Sequence, residues 1–217
     1  MNNIACIIMA SGLGRRFGGN KLLAEFHGKP LIGHILEQTK GLFPRRVVVT
    51  RYREIEEICR RQGIDCVLHT LPGRNDTIRL GVEFFQADRS QTISKTGNPK
   101  KELFDSEKPP FHPKGYLFCP ADQPLLTKGT LKKIAAEFSQ HHKPGDIFRL
   151  SYGEMAGAPV LFDAVYAEEL TKLPEKNGGS YLIRKYPCQV ISITAASAAE
   201  LMDVDTAEDL EQLSHMP

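Results

Sequence analysis

The sequence predicts an α/β fold, a Rossmann-like three-layer α/β/α arrangement with a mostly parallel central sheet. Short apolar runs alternate with helical patterns along most of the 217 residues. A glycine-rich segment follows the first apolar run, and acidic residues follow later ones. Strands that alternate with helices form parallel sheets through right-handed crossovers. A chain of this length is typical of one domain, so residues 1–217 are predicted to form a single unit.

The first half of the chain predicts three strand–helix pairs. The opening run is continuously apolar, as in a strand that is buried on both faces. The helices show apolar side chains at helical spacing, and the first begins at a proline, which suits the first helical position. The predicted strands are Ile4–Met9, Arg46–Thr50 and Asp65–His69, and the helices begin at Pro30 or cover Glu54–Gln62 and Asn75–Phe85.

The second half resumes the same alternation after an interruption at Asp88–Lys114. That segment holds four prolines and no apolar period, which predicts a surface insertion that is flexible at least in part. The predicted strands are Tyr116–Cys119, Ile147–Ser151, Pro159–Phe162 and Gln189–Thr194, and the helices follow Thr127 or cover Ala164–Lys172 and Ser180–Tyr186. A last helix is predicted after Thr206, which forms a capping box with Asp209.

Composition narrows the class of protein. A net charge of +2 and a pI near 8.2 are too mild to indicate nucleic acid or a membrane surface as partner. The five cysteines include no Cys-x-x-Cys pair, which indicates reduced thiols in a cytoplasmic protein. The longest apolar stretches fall short of the roughly 20 residues of a membrane helix.

The segment Met9–Lys21, called the glycine loop below, predicts a phosphate site. Its glycines let backbone amides approach an anion, and Arg16 and Lys21 add positive charge. Phe17 stands where a dinucleotide fingerprint needs glycine. Asn20 separates the last glycine from Lys21, which breaks the Walker A pattern. The pattern Gly-x-Gly-x-Arg-x-Gly, with a lysine soon after, fits the loop.

The sequence does not show the motif of a serine hydrolase or of a histidine metal site. Ser11 follows the first strand, but the Gly-x-Ser-x-Gly spacing of a hydrolase nucleophile is absent around it. The seven histidines have no metal-binding spacing.

Carboxylates follow two later extended segments. Asp122 comes soon after Tyr116–Cys119, at the carboxyl edge of the predicted sheet, where open α/β sheets bind ligands. A hard oxygen ligand there can hold magnesium against phosphate oxygens. Asp203 and Asp205 point to the same side if their segment is extended. Asp203 is predicted as the second ligand and Asp205 as a companion of the last helix, and the choice between them stays open.

Five segments in this order resemble the molybdenum cofactor cytidylyltransferases, within a group that includes guanylyltransferases and sugar-nucleotide pyrophosphorylases. The resemblance covers nearly the whole chain outside Asp88–Lys114 and is carried by Met9–Lys21, Gly28–Ile32, Asp122–Pro124, Gly157–Phe162 and Asp203–Leu210. It implies the nucleotide-diphospho-sugar transferase type of Rossmann-like fold. It also implies a nucleoside triphosphate, with CTP favoured, the cofactor Mg²⁺, and release of pyrophosphate.

The resemblance also implies roles for individual residues. Lys21, Arg16 and Asp122 would be catalytic, and Asp122 would also be a metal ligand. The nucleotide would contact Ala10, Ser11, Gly12, Gly14, Arg16, Lys21, Thr77 and Asp122. Gly157 and Pro159 would shape the acceptor pocket.

The acceptor implied by the resemblance is a molybdopterin-type cofactor, with a molybdoenzyme as a possible client. Ala158 stands where the family often has histidine, and Asn177–Ser180 lacks the family's usual acidic residue. Guanylyl transfer, sugar 1-phosphate acceptors and a non-catalytic cofactor carrier therefore remain alternatives.

Overall fold

The structure is a computed structural model that describes residues 3–90 and 111–216. The strands are β1 (Ile4–Ala10), β2 (Glu25–Phe26), β3 (Lys29–Pro30), β4 (Arg45–Thr50), β5 (Asp65–Leu68), β6 (Gly115–Pro120), β7 (Ile147–Tyr152), β8 (Met155–Asp163) and β9 (Val190–Thr194). The α-helices are α1 (Leu31–Thr39), α2 (Arg53–Arg61), α3 (Arg74–Ser90), α4 (Lys128–His141), α5 (Ala167–Thr171), α6 (Ser180–Lys185) and α7 (Ala207–Ser214).

Seven of these strands form the central sheet, in the order β5-β4-β1-β6-β8-β7-β9. β1 pairs in parallel with β4 and β6, β4 with β5, and β7 with β9. β8 runs antiparallel to both of its neighbours, β6 and β7. The sheet is therefore mostly parallel, as the sequence predicts, with one reversed strand.

Helices cover both faces of the sheet and complete the three predicted layers. Alternate residues of β1 point to opposite faces. Ile4, Cys6 and Ile8 pack in one apolar cluster with residues of α1, α2 and α4, whereas Ala5 and Ile7 pack in a second cluster with residues of α3 and α5. Every residue of β1 except Met9 is buried, which explains its continuous apolar run.

Two helices differ from their predicted limits. α1 begins at Leu31, because Pro30 has an extended ψ of 143° and pairs with Glu25 in the small β2–β3 ladder. The predicted helix Ala164–Lys172 is divided into a 3₁₀ turn (Ala164–Tyr166) and α5.

The predicted insertion Asp88–Lys114 is shorter at both ends. α3 continues through Ser90, and the ring of Phe111 lies 5.9 Å from that of Phe85 on α3. Residues 91–110 of the predicted insertion lie outside the described residues, so its flexibility and the single-unit prediction for residues 1–217 stay predictions. In the part of the chain that the structure describes, the helices are too short or too polar to cross a bilayer.

Both predicted helix caps are confirmed. The Thr127 side chain accepts a hydrogen bond from the Thr130 amide at the start of α4. Thr206 and Asp209 form the capping box of α7, in which each side chain accepts from the other's backbone amide. The second cap places Asp205 immediately before the first turn of α7.

Candidate active site

A cavity of about 630 Å³ opens where the carboxyl ends of β1, β4 and β6 meet. Its walls come from the glycine loop, the residue after β4, the start of α3, the turn after β6, the segment before α6 and the segment before α7. The lining includes Lys21, Arg51, Thr77, Asp122, Gly178 and Asp205. Ligands of open α/β sheets bind at this edge.

The second half of the glycine loop folds back on itself around Gly14. The carbonyl of Gly14 accepts from the amides of Phe17 and Gly18, at 3.0 and 3.1 Å. Gly14 has φ +56°, and a Cβ at that position would lie 2.0 Å from the carbonyl oxygen of Gly19. Both the left-handed backbone and this close approach therefore require glycine.

The first half of the loop is attached to the end of β4. The Thr50 hydroxyl donates to the Ala10 carbonyl at 3.0 Å, and the Tyr52 hydroxyl donates to the Gly12 carbonyl at 2.7 Å. These bonds satisfy the loop carbonyls and hold the loop in position before a ligand binds.

Ser11 and His69 provide a further attachment. The Ser11 hydroxyl donates to the Val49 carbonyl at 3.0 Å and lies 2.8 Å from His69 Nε2. His69 Nδ1 accepts from the Leu71 amide at 3.2 Å, so Nε2 carries the proton and donates to Ser11. Burial, assisted by the charge of Arg51, lowers the pKa of His69. A neutral ring whose proton faces the serine cannot activate it as a nucleophile, in agreement with the absence of a hydrolase motif.

Lys21 lies between two of the carboxylates that the sequence identifies. Its buried ammonium group is 2.7 Å from Asp122 and 2.8 Å from Asp205, and it donates to the Val204 carbonyl at 2.6 Å. Burial alone would lower the pKa of Lys21, but the negative charges of Asp122 and Asp205 outweigh it and raise that pKa above its ordinary value. The group is therefore a fixed positive charge in the cavity.

Asp205 has two cationic partners. Besides Lys21, the exposed guanidinium of Arg16 forms an ion pair with it. The hydrogen bond from Lys21 is the main cause of a lowered pKa of Asp205. Its amide donates to the Asp209 carboxylate at 2.9 Å, so the α7 capping box orients this residue. Asp205 is thus an ionised carboxylate in the cavity wall.

Asp203 is in a different setting. It is not part of the cavity lining, although Asp122 and Asp205 are. The residue is exposed, and its side chain is hydrogen-bonded to Gln123. Partial desolvation of its carboxyl group, together with the neighbouring charge of Asp122, raises the pKa of Asp203 to about 6.

Hydrogen bonds connect the two acidic segments. The Val204 amide donates to the Asp122 carbonyl at 2.9 Å. The Glu200 carboxylate is buried and accepts from the Thr127 amide at 3.0 Å, the Thr130 hydroxyl at 2.6 Å and the Ala196 amide at 2.9 Å. Glu200 therefore joins the segment that leads to Asp205 to the start of α4, which follows Asp122.

Two carboxylates that form ion pairs with Lys21 lie on the cavity wall. In residues 3–90 and 111–216 no three His, Cys, Asp or Glu side chains are grouped so that they could hold a metal ion. Magnesium commonly takes one or two carboxylates and completes its shell with waters and substrate phosphates. Asp122 and Asp205 fit that requirement as hard oxygen donors beside a phosphate loop.

The remaining predicted site residues divide into two groups. Thr77 is buried in the first turn of α3 and lines the cavity. Gly157 and Pro159 lie on β8 outside the cavity lining, and a Cβ on Gly157 would meet Leu201 at 3.2 Å. The predictions of nucleotide and acceptor contacts at these positions stay predictions.

Sequence reasoning missed several residues that line the cavity. Arg51, Arg74 and Gly179 are among them. The available signals were the position of Arg51 directly after a strand and the paired glycines before a helix, but neither pattern is specific.

The fold and the site define a nucleotidyltransferase, as comparison with known proteins shows. The family described as "MobA-like NTP transferase domain" matches residues 6–190, and the chain belongs to that family.

Individual relatives resemble parts of the chain. The bifunctional protein GlmU of Paramagnetospirillum magneticum is 28% identical over 140 residues, which are 63% of this chain and 26% of that protein. A probable molybdenum cofactor guanylyltransferase of Pyrococcus horikoshii is 37% identical over 65 residues, which are 30% of this chain and 34% of that protein. The matches thus span about a third or less of these relatives.

Among solved structures, Rv0371c of Mycobacterium tuberculosis has a TM-score of 0.77 at 18% identity, with 100% of both chains covered. At this level of identity the likeness shows the fold.

Proposed function

We propose that this nucleotidyltransferase transfers CMP from CTP to the terminal phosphate of a molybdopterin-type acceptor and releases pyrophosphate, with Mg²⁺ as cofactor. The observation that carries the proposal is the Lys21 ammonium, held 2.7 and 2.8 Å from Asp122 and Asp205 beside the glycine loop. A phosphate loop, a fixed cation and two ionisable carboxylates are the groups that nucleotidyl transfer requires.

In this reaction a phosphate oxygen of the acceptor attacks the α-phosphorus of CTP. A new P–O bond forms there, while the bond from the α-phosphorus to the oxygen that bridges it to the β-phosphate breaks, and pyrophosphate leaves with that oxygen. Positioning and charge neutralisation dominate such transfers. Because the acceptor phosphate is already ionised, no general base is needed.

The residues of the glycine loop have different proposed roles. Lys21 offsets the charge that develops at the α-phosphate. Arg16 is exposed at the cavity and binds the departing pyrophosphate. The backbone at Ser11 and Gly12, which line the cavity, faces the base and sugar, and the fold of the loop at Gly14 keeps these groups in place. Ala10, also predicted to contact the nucleotide, is buried outside this lining.

Asp122 and Asp205 would hold the magnesium ion, which when bound neutralises charge on the phosphate oxygens. Asp205 is favoured by its place in the cavity wall and its lowered pKa. The competing prediction, Asp203 as second ligand, is less favoured because Asp203 does not line the cavity. A divalent ion is also consistent with a structure of Rv0371c in complex with manganese, a relative with a TM-score of 0.69.

CTP is supported by the resemblance in the sequence and by a similar solved structure. CMP:2-keto-3-deoxy-manno-octonic acid synthetase complexed with CTP has a TM-score of 0.67 and is 12% identical. Guanylyl transfer is the second candidate, because the Pyrococcus relative is a probable guanylyltransferase. A non-catalytic carrier of the cofactor is disfavoured, because carriage alone has no need of a lysine fixed by two carboxylates.

The decisive experiment measures pyrophosphate release with Mg²⁺ and the phosphorylated pterin cofactor in parallel reactions with CTP, GTP, ATP and UTP. We expect release with CTP that depends on both the acceptor and the metal. A parallel series with a sugar 1-phosphate in place of the pterin tests the other acceptor class. A higher rate with GTP or with the sugar 1-phosphate would replace the proposed substrates, and binding of the pterin cofactor without pyrophosphate release would support the carrier.

A further inference from the structure

Arg51 is a cation in the cavity that the reaction described above does not use. It follows β4, whereas Asp122 follows β6, and these strands lie on opposite sides of β1 in the sheet. We call the part of the cavity formed by Lys21, Asp122 and Asp205 the aspartate side, and the part formed by Arg51 and residues 72–78 the β4 side. Arg51 therefore lies away from the metal ligands proposed above.

The guanidinium of Arg51 has an unused donor. Its Nε is buried and has no hydrogen-bond partner. Some other described residues also carry a buried side-chain nitrogen or oxygen without such a partner, but among residues 3–90 and 111–216 Arg51 alone combines this with a place in the cavity lining. Buried polar groups in folded proteins are normally satisfied, so an Nε without an acceptor shows that the protein does not saturate this guanidinium, which belongs to a residue of the cavity lining.

The backbone holds Arg51 in a fixed place next to the loop. Its neighbour Thr50 donates to the Ala10 carbonyl, and its other neighbour Tyr52 donates to the Gly12 carbonyl. Arg51 is thus adjacent to the part of the glycine loop that is proposed to face the base and sugar.

The lining of the β4 side offers surface for a base beside the exposed guanidinium of Arg74. It includes apolar surface from Pro72 and from the buried side chain of Ile78, together with the hydroxyl of Thr77. Lys21 and Arg16, which are proposed to contact phosphates, are paired with Asp205. The triphosphate therefore extends over the glycine loop toward the aspartate side, and the nucleoside end lies toward Arg51.

We propose that Arg51 is a specificity-determining residue, whose guanidinium donates two parallel hydrogen bonds to the edge of the nucleobase. This proposal rests on the proposed function and deepens it. A guanidinium fork requires two neighbouring acceptors. Cytosine offers O2 and N3, and guanine offers O6 and N7. Adenine places an amino group beside its ring acceptors, and uracil places an N–H between its two carbonyl groups. Arg51 therefore selects CTP and GTP over ATP and UTP.

The test compares the binding of CTP, GTP, ATP and UTP to the full chain by titration calorimetry, without acceptor. The variants are Arg51→Ala, Arg51→Lys, which keeps the charge but loses the fork, and Arg15→Ala, an exposed arginine of the glycine loop that also lines the cavity. We expect both Arg51 variants to lose about tenfold or more in affinity for CTP, while their affinity for ATP and UTP changes less than about threefold. Arg15→Ala is expected to weaken all four nucleotides by the same factor.

An equal loss for all four nucleotides in Arg51→Ala, with affinity restored in Arg51→Lys, would overturn the proposal and make Arg51 a phosphate contact. Unchanged affinities in both variants would overturn it as well. Unfolding midpoints of all variants, compared with the wild type, exclude misfolding as the cause of a lost affinity. If Arg51→Ala is unstable, Arg51→Lys still tests the proposal. Calorimetry measures nucleotide binding and needs no nucleotidyl transfer, so the two proposals can fail separately. A wild type that releases no pyrophosphate would reject the proposed reaction. A preference among the four nucleotides that does not change in the Arg51 variants would reject this inference.

Discussion

The two sides of the cavity differ in how their charged side chains are partnered. On the aspartate side, Lys21 binds Asp122 and Asp205, and Asp205 also binds Arg16. On the β4 side, the buried Nε of Arg51 has no hydrogen-bond partner among the described residues. Charges that neutralise one another must exchange partners when a triphosphate and a metal ion bind, whereas the protein leaves the Arg51 guanidinium unsaturated at Nε.

This difference has consequences for substitution. Removing one member of a buried ion pair leaves an uncompensated charge, which costs more than the pair itself contributes. A substitution on the aspartate side is therefore expected to affect stability and catalysis together. On the β4 side it is expected to affect the ligand alone.

The largest effect is expected for Lys21→Ala. Loss of the ammonium removes charge stabilisation at the α-phosphate, and turnover is expected to fall by about 10²- to 10³-fold at saturating CTP. Initial rates of pyrophosphate release over a range of CTP concentrations separate turnover from binding. Loss of CTP affinity with unchanged turnover would contradict the catalytic role of Lys21.

Asp205→Asn and Asp203→Asn are matched variants that test which of the two aspartates is the second metal ligand. If Asp205 is the second metal ligand, its variant loses about 100-fold in turnover and needs more Mg²⁺, while the Asp203 variant loses less than about tenfold. Magnesium titrations of the rate at fixed CTP provide the measurement. The reverse ranking would restore Asp203 as the ligand.

Gly14→Ala tests the fold of the loop that lies between the two sides. The new Cβ would be placed 2.0 Å from the Gly19 carbonyl at a φ of +56°, so the loop must shift. Displacement of this order is expected to weaken CTP binding by about tenfold or more. Gly19→Ala serves as the control, because no atom lies within 4 Å of its added Cβ and its φ is not positive. Equal affinities in the two variants would refute the steric argument.

Glu200→Ala tests the connection behind the aspartates. The substitution leaves the Thr127 and Ala196 amides without their acceptor, so the free energy of unfolding is expected to fall by about 1–3 kcal/mol. Chemical denaturation measures it, and Glu208→Gln on the exposed surface of α7 is the control. Glu200→Gln keeps one acceptor oxygen and is expected to lose less. A stability equal to that of the control would show that this buried carboxylate is dispensable.

His69 gives the smallest expected effect, through pH. Burial lowers its pKa, so the unfolded chain takes up the proton first as pH falls below about 6.5. The contribution of His69 is therefore present above that pH and is lost as pH decreases. His69→Gln is expected to make the decline in unfolding free energy between about pH 7.5 and 5.5 shallower. Some decline remains, because burial also lowers the pKa of His34. An unchanged slope in denaturation curves would exclude this role.

Local patterns were sufficient for much of the fold. Alternating apolar runs predict most strands of the sheet, and hydroxyl residues before apolar patterns predict the caps at Thr127 and Thr206. Such features depend on neighbours within a few residues. The end of α3 and the antiparallel direction of β8 were not predicted, because the first depends on packing against Phe111 and the second on where the chain re-enters the sheet.

By itself the sequence determined the class of site. The glycines, Arg16 and Lys21 specify a phosphate loop, because close backbone approach and positive charge are properties of those residues. Only the tertiary structure decided which carboxylates meet Lys21. Asp203 and Asp205 are equivalent in an extended segment, and the bond from the Val204 amide to Asp122 and the capping box of α7 turn Asp205 toward the lysine. The unpartnered Nε of Arg51 was likewise invisible in the sequence, since the lack of a partner depends on every surrounding residue.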